Sequence, residues 1–331
     1  MTPAPGGLLF VAWGAPSGRS SEISAELGGR PLVCFDPGGR WQPSAPLRWG
    51  IGAVRTTAEL ARRRPAAVVV TNPPAVAALT VVAYGALSGA RVVLDDHPGS
   101  FGAQGDRVAA RLLPLHRWMA RRADACMVTT DAWVEMVGEW GGRGLVVHEA
   151  PGPWVWAPPG PAARLERVVF AGTFARDEPV EAVIGAARLA PEIAFELTGD
   201  PKRGAPQLRD LPSNVRLTGY LDPAGYRAAI TGADAVVAMT TEPTSAMRAA
   251  FEAVWAGRPL VVSDWPLLAE LFPESTRCAN SAEALAGALR GLSAGYTDAV
   301  AGLAGAHARQ LQRWKEQLGG LRSVLGVAAG D

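Results

Sequence analysis

The stretch DAVVAMTTEPTSAMRAAFEAVWAGRPLVVSD, Asp234–Asp264, decides how the rest of the chain is read. It opens with a valine-rich apolar run, turns at Thr244 and Ser245, and continues with helical spacing from about Ala246 to Ala256. Gly257 stands where a helix C-terminus takes a left-handed residue, and Pro259 where the helix cannot continue. LVVSD is a second apolar run, so the unit is strand, helix, strand. Backbone N–H groups at Ser245, Ala246 and Met247 are expected to form an anion site at the helix start. Arg248 is a further phosphate candidate, and Glu252 stands where a carboxylate takes two vicinal hydroxyls. A diphosphate beside a sugar diol describes a nucleotide. The same spacing also fits an ordinary crossover with Glu252 on a solvated face.

Outward from that unit, apolar runs and helical patterns alternate along the chain. Strands are expected at Leu8–Ala12, Leu32–Phe35, Ala67–Thr71, Arg91–Asp95, Ala125–Thr129 and Leu145–His148. Helices are expected between them at Ser20–Leu27, Thr57–Arg64, Ala75–Ser88, Asp106–Arg122 and Asp131–Trp140. Such alternation gives a parallel sheet covered on both faces. The proline-rich string APGPWVWAPPGPAAR, Ala150–Arg164, interrupts it and reads as a linker. The alternation restarts with strands at Arg167–Ala171, Ala194–Thr198, Val215–Thr218, Ala235–Met239 and Leu260–Ser263. Helices at Pro179–Leu189, Pro223–Thr231, Pro266–Leu271 and Ala282–Leu292 accompany them, and a helical tail runs from about Asp298. The expected architecture is α/β, two doubly wound parallel-sheet domains over residues 1–155 and 156–331, with the tail from about residue 298 free to pack back on the first.

Composition limits the function. With 331 residues, 48% hydrophobic and 19% charged, the chain is long enough for two cores, and a net charge of +1 does not call for nucleic acid. Cys34, Cys126 and Cys278 are far apart and odd in number, which suits a reducing cytoplasm. The four histidines have no metal-ligand spacing. Apolar Gly6–Trp13 has no basic residue before it, so no secretory signal is expected, and the uncharged run Pro73–Ala90 reads as a buried helix. Residues 1–160 hold 15 arginines against 12 acidic residues, the excess clustering at Arg62–Arg64 and in RLLPLHRWMARR, Arg111–Arg122. Basic residues among Leu115, Trp118 and Met119 suit an anionic membrane surface or a solvated helix face.

VVFAGTFARDEPVEAVIGAARLAPEIAFELTGDP (Val168–Pro201), NVRLTGYLDPAGYRAAITGADAVVAMTT (Asn214–Thr241) and, most specifically, FEAVWAGRPLVVSDWPLLAE (Phe251–Glu270) resemble the nucleotide-binding domain of GT-B glycosyltransferases of the family 4 type. TNPPAVAALTVVAYGALSGARVVLDDHPGSFG (Thr71–Gly102) is similar to the acceptor domain of related mannosyltransferases that act on lipid-linked sugars. The resemblance implies two Rossmann-like domains facing a cleft, acceptor-binding first and nucleotide-sugar-binding second, that close about residues 150–164. Glu252 falls on the second glutamate of the family's paired motif, which implies contact with the donor ribose; the first glutamate's place is taken by Thr244. Around the Gly172 turn, with Thr173, the resemblance assigns phosphate neutralisation to Arg176 and to Lys202. On the acceptor side it points to the glycine-bearing loop WGAPSGRSSE, with Gly14, Ser17, Gly18 and Arg19, and to His97 as a histidine reaching the transferred sugar. Asp95 and Asp96 are the carboxylates available as general base if the enzyme inverts, and Asp96 is taken with His97 as the catalytic pair. The implied activity is transfer of a sugar from a nucleoside diphosphate sugar to a hydroxyl of a small-molecule, glycan or lipid-linked acceptor, as part of bacterial carbohydrate biosynthesis. No metal or other cofactor is expected, helix dipole and cations taking the charge. The expected location is the cytoplasm, with peripheral membrane contact through the first domain. A GT-B nucleotide-sugar epimerase and a non-catalytic protein of the same fold are the alternatives.

Overall fold

The computed structural model describes residues 7–13, 18–29, 31–34, 44–102, 107–160, 164–204 and 208–327. The chain divides into two compact units, Met1–Gly152 with Arg313–Asp331, and Pro153–Gln312.

Unit 1 holds β1 (Leu8–Ala12), α1 (Gly18–Glu26), β2 (Pro31–Val33), α2 (Ala45–Arg63), β3 (Ala67–Asn72), α3 (Ala75–Ser88), β4 (Arg91–Asp96), α4 (Arg107–Ala120), β5 (Ala125–Val128), α5 (Asp131–Glu139) and β6 (Gly144–Val146). A 3-10 turn, Pro98–Phe101, follows β4. The six strands pair in the order β2-β1-β3-β4-β5-β6, all parallel. Strands covered on both faces bury every side chain, which is why β3 reads as an unbroken valine run: Val68, Val69 and Val70 are all fully buried. Ala77, Ala78 and Val81 of α3 pack on Val68 and Val70 together with Met119 of α4. α2 begins twelve residues before the expected start at Thr57, because Gly50 and Gly52 read as breakers. Gly52 has a packing reason instead: a Cβ there would lie 2.9 Å from the indole of Trp13, whose Nε1 donates to Thr56 Oγ1 at 3.0 Å.

Unit 2 holds β7 (Arg167–Phe170), α6 (Val180–Leu189), β8 (Ala194–Thr198), β9 (Val215–Gly219), α7 (Pro223–Gly232), β10 (Ala235–Ala238), α8 (Arg248–Ala256), β11 (Leu260–Ser263), α9 (Pro266–Leu271), β12 (Thr276–Cys278) and α10 (Ala282–Ala294). The order β12-β11-β10-β7-β8-β9, again all parallel, is the doubly wound arrangement that reverses direction between β7 and β10. Phe170, Phe195, Leu197 and Val237 of the sheet pack on Val183 and Ile184 of α6 and on Leu285 and Leu289 of α10. Gly257 ends α8 at φ 71°, as its place before Pro259 requires. β12 was not expected; three residues on an edge leave too little pattern to read.

α11 (Tyr296–Leu325) begins in unit 2, and its part from Arg313 onward belongs to unit 1. There Trp314, Leu318, Leu321, Val324 and Leu325 are buried. Arg91 Nη1 donates to Val324 O at 2.7 Å, and Arg322 Nη2 to Glu26 O at 2.8 Å. Gln317 grips His148 from both ends of its amide: Oε1 accepts from the His148 backbone N–H at 2.8 Å, and Nε2 donates to His148 Nδ1 at 2.9 Å. Among the described residues no helix is long and apolar enough to cross a membrane.

Candidate active site

In an open α/β sheet, ligands bind beyond the carboxyl ends of the strands where the winding reverses. In unit 2 that point lies between β7 and β10, and the loops leaving these strands are tied together. Thr241 N–H donates to Asp177 O at 2.6 Å, and Thr240 Oγ1 to Asp177 Oδ2 at 3.3 Å. Thr240 O in turn accepts from Trp265 Nε1 at 2.8 Å and Asn280 Nδ2 at 2.9 Å.

The loop after β7 turns its amides inward onto a carboxylate. Glu178 accepts from Thr173 N–H at 2.9 Å, Thr173 Oγ1 at 3.1 Å and Ala175 N–H at 3.2 Å. Phe174, between them, has φ 58°, the left-handed step that lets neighbouring amides converge on one anion. Burial pushes the Glu178 carboxyl above its usual range despite these donors. Gly172 leaves no room for a side chain, since a Cβ would meet the Phe170 ring and lie 2.7 Å from Glu178 Oε2. Arg176 is exposed in the same loop; Lys202, beyond β8, is also exposed, with its backbone N–H on Asp200 Oδ1 at 3.0 Å.

α8 starts two residues later than expected, with Met247 as N-cap. Ser245 therefore does not offer its amide to a ligand, because its N–H donates to Glu242 O at 3.1 Å in the turn that holds Thr244 exposed. The helix N-terminus lies instead at Met247 and Arg248, with Ala246 just before it. Glu252, one turn in, is buried rather than on a solvated face. Its Oε2 accepts from Tyr226 Oη at 2.8 Å, and its Oε1 from Arg248 Nε at 2.5 Å. Burial, and then the Glu252 charge, push the Tyr226 phenol well up, so it stays a donor. Tyr226 lies edge-on to Trp154, with ring centroids 6.2 Å apart. Arg248 is thus committed to Glu252 through Nε, and α7 supplies a partner that the sequence reading missed.

In unit 1 the carboxyl ends of β1, β3 and β4 gather a second cluster. Gly14 and Ser17 lie outside the described residues, and Gly18 opens α1. Arg19, expected on the acceptor loop, is buried. Its guanidinium donates to Asp95 Oδ1 and Glu149 Oε1, both at 3.2 Å, and to the carbonyls of Val147 (2.8 Å) and His148 (3.1 Å). It therefore organises the strand ends and does not reach out to a ligand. Asp96 is also turned inward: Asn72 Nδ2 donates to its Oδ1 at 2.7 Å, and His116 Nε2 lies 2.9 Å from the same oxygen. At 2% exposure it does not meet an acceptor hydroxyl, which corrects its reading as general base. His116 Nδ1 donates to Ser100 O at 3.1 Å and so braces the turn that carries His97. His97 is the member of this cluster with an open face, its side chain 32% exposed and its Nε2 3.6 Å from Asp95 Oδ2. Burial draws the His97 pKa down, but Asp95 outweighs it and the net shift is upward. On Asp95 burial acts upward, and Arg19 with His97 reverse it, so that carboxyl lies below its usual range. The positioning carboxylate of His97 is thus Asp95.

Each half of the chain matches a sugar-transfer family. Residues 9–151 match the glycosyl transferase 4-like domain, and residues 176–316 the glycosyl transferase-like domain. No curated protein matches the chain in sequence. Among solved structures, sucrose-phosphate synthase from Thermosynechococcus elongatus aligns over 96% of this chain and 98% of its own, at 16% identity and TM-score 0.68. HepE from Anabaena, solved in complex with UDP, aligns over 97% and 100%, at 15% identity and TM-score 0.71. UDP-GlcNAc 2-epimerase from Methanocaldococcus jannaschii aligns over 86% and 92%, at 10% identity and TM-score 0.55. Identities this low bear on the fold, and the fold they share is the one built above from two singly ordered parallel sheets. With a sugar-transferase domain matched in each half, the chain belongs to the GT-B glycosyltransferases of the family 4 type.

Proposed function

We propose that this enzyme moves a sugar from a nucleoside diphosphate sugar, bound in unit 2, to an acceptor hydroxyl presented by unit 1. The observation that carries the donor assignment is the buried Glu252, hydrogen-bonded to Tyr226 beside the N-terminus of α8 at the winding reversal. The HepE structures, solved with UDP and with UDP-glucose, are the models for such a ligand.

In this reading the ribose hydroxyls take up Glu252, either displacing the Tyr226 hydroxyl or sharing the carboxylate with it. The diphosphate lies toward Ala246, Met247 and Arg248, where the helix dipole favours negative charge, and Arg176 and Lys202 approach it from exposed loops. Cations and amide dipoles that stabilise the departing diphosphate lower the barrier to breaking the anomeric bond, without a metal ion or other cofactor. Gly172 and Thr173 shape the loop that borders the diphosphate, and Thr244 faces the transferred sugar. On the acceptor side His97, oriented by Asp95, is the group we assign to the sugar, and Gly14, Ser17 and Gly18 are assigned to the acceptor. The enzyme works in the bacterial cytoplasm, with peripheral contact between unit 1 and the inner face of the membrane.

The test is calorimetry and thermal shift with UDP, GDP, ADP and their sugars. One nucleotide is expected to bind, and Glu252→Ala to weaken it by about 1–3 kcal/mol through loss of charge-assisted hydrogen bonds. Absence of binding to all of them would sink the donor assignment. Conversion of a nucleotide sugar with no acceptor present would mark an epimerase instead.

A further inference from the structure

Unit 1 carries a surface that holds none of the residues assigned above to sugar transfer. The connections β2 to β3, β3 to β4 and β4 to β5 all step the same way along the sheet, and right-handed crossovers therefore place α2, α3 and α4 on one face. α3 packs between the other two, so the outward sides of all three form one layer. That layer holds every large apolar side chain exposed among the described residues of unit 1: Leu47 at 51%, Val54 at 70%, Leu87 at 90% and Trp118 at 38%. On α2 the apolar tips follow one stripe, Leu47, Ile51, Val54 and Ala58, the spacing of a single helix face.

Positive charge flanks the stripe. Arg48, Arg55 and Arg62 recur at seven-residue steps beside Leu47, Val54 and Ala61. α3 carries no charged residue at all, and Arg111 and Arg117 are exposed on α4, with Arg121 and Arg122 just beyond it. The Arg122 guanidinium lies over the Trp118 ring, 4.8 Å from its centroid. The sole carboxylate on the three helices is Glu59, held by Arg62 and Arg63. Acidic residues return on α5, at Asp131, Glu135 and Glu139, which sets the border of the layer.

We propose that the α2–α3–α4 layer is the face that rests on an anionic phospholipid surface. Exposed aliphatic tips have no partner on a nucleic acid backbone, whereas the boundary of head groups and acyl chains takes them. Arginine stems lie along that boundary with their guanidiniums on lipid phosphates. A second copy of this chain fits worse, because a two-fold interface would press one arginine-rich patch against its own image. The assignment deepens the peripheral location given above and is independent of the donor site.

The experiment is co-sedimentation of the full chain with vesicles of phosphatidylcholine alone and of phosphatidylcholine with phosphatidylglycerol. Binding is expected to the second only, weakening as salt rises. The double variant Val54→Glu with Leu87→Glu is expected to lose binding by about tenfold or more. Arg111→Glu with Arg121→Glu is expected to lose about fivefold or more for each arginine. Both variants should keep the melting temperature and nucleotide affinity of the parent, which separates this result from misfolding and from failure at the donor site. The proposal is overturned if the parent ignores anionic vesicles or if both variants bind like the parent. It is equally overturned if the variants instead abolish a dimer or binding of a test RNA.

Discussion

His148 accepts a hydrogen bond at Nδ1 from Gln317 and is buried, so its neutral form is the one the fold holds. Burial, then the Arg313 and Arg19 charges, lower its pKa from 6.5 to about 3. The unfolded chain therefore binds a proton that the folded chain refuses, and stability is lost as pH falls from the unfolded value toward 3. The slope expected from this group is about 1.4 kcal/mol per pH unit. His148→Asn, which keeps an acceptor in place of Nδ1, should flatten that part of a urea-denaturation profile; an unchanged slope would exclude His148 as its source. His97 runs the other way: its raised pKa adds stability below the ordinary histidine range, and that contribution fades as pH rises through the raised value. At Glu178, substitution by Ala leaves the Thr173 and Ala175 amides without their acceptor, for a loss of about 1–3 kcal/mol in unfolding free energy by urea titration. Nucleotide affinity should hold or rise as the negative charge goes, and a tenfold fall would make Glu178 a donor-binding group. The position of Glu252 on α8 was legible because one helix and its two flanking strands fix it locally. Tyr226 was not: it comes from a different helix, and only the folded sheet brings its hydroxyl to Glu252. Arg19 and Asp96 misled for a related reason, since a charged residue beside a predicted site looks the same whether it faces solvent or a buried partner.

At the scale of elements, strands buried on both faces announce themselves as valine runs, and the residues that close helices, such as Gly257, are local. The β7–α6 loop is different, because its shape depends on how two amides and a hydroxyl meet one side chain. Gly172→Ala tests it. The added methyl would meet the Phe170 ring and Glu178, and the expected cost is about 1–3 kcal/mol of unfolding free energy, measured in urea. No change would mean that the loop resets freely and does not border the site in a fixed form. The early half of α2 was hidden by Gly50 and by Gly52, the latter kept free of a side chain by Trp13, and the late start of α8 by the turn in which Ser245 bonds to Glu242. The Gly52–Trp13 contact is a tertiary effect and the Glu242–Ser245 turn a local one, each displacing a helix start from its expected place.

For the whole molecule, the alternation of strands and helices is enough to read two doubly wound sheets, whereas the strand orders come only from pairing. The return of α11 to unit 1 gives a prediction at this scale. Truncation after Gln312 removes Trp314, Leu318, Leu321, Val324 and Leu325, each worth about 1.5–3 kcal/mol of burial. The sum is comparable to the roughly 5–15 kcal/mol that holds an ordinary domain. Hydrogen exchange on the truncated chain should therefore show unit 1 unprotected and unit 2 intact; equal protection in both would mean that the tail is dispensable. The same feature governs how the chain is made. A ribosome delivers the sheet of unit 1 before the helix that completes it, with all of Pro153–Gln312 between them. At about 5–20 residues per second, that interval lasts roughly 10–30 s. During it the nascent sheet stands with an open flank, so a segment translated well after the sheet decides whether the sheet keeps its fold.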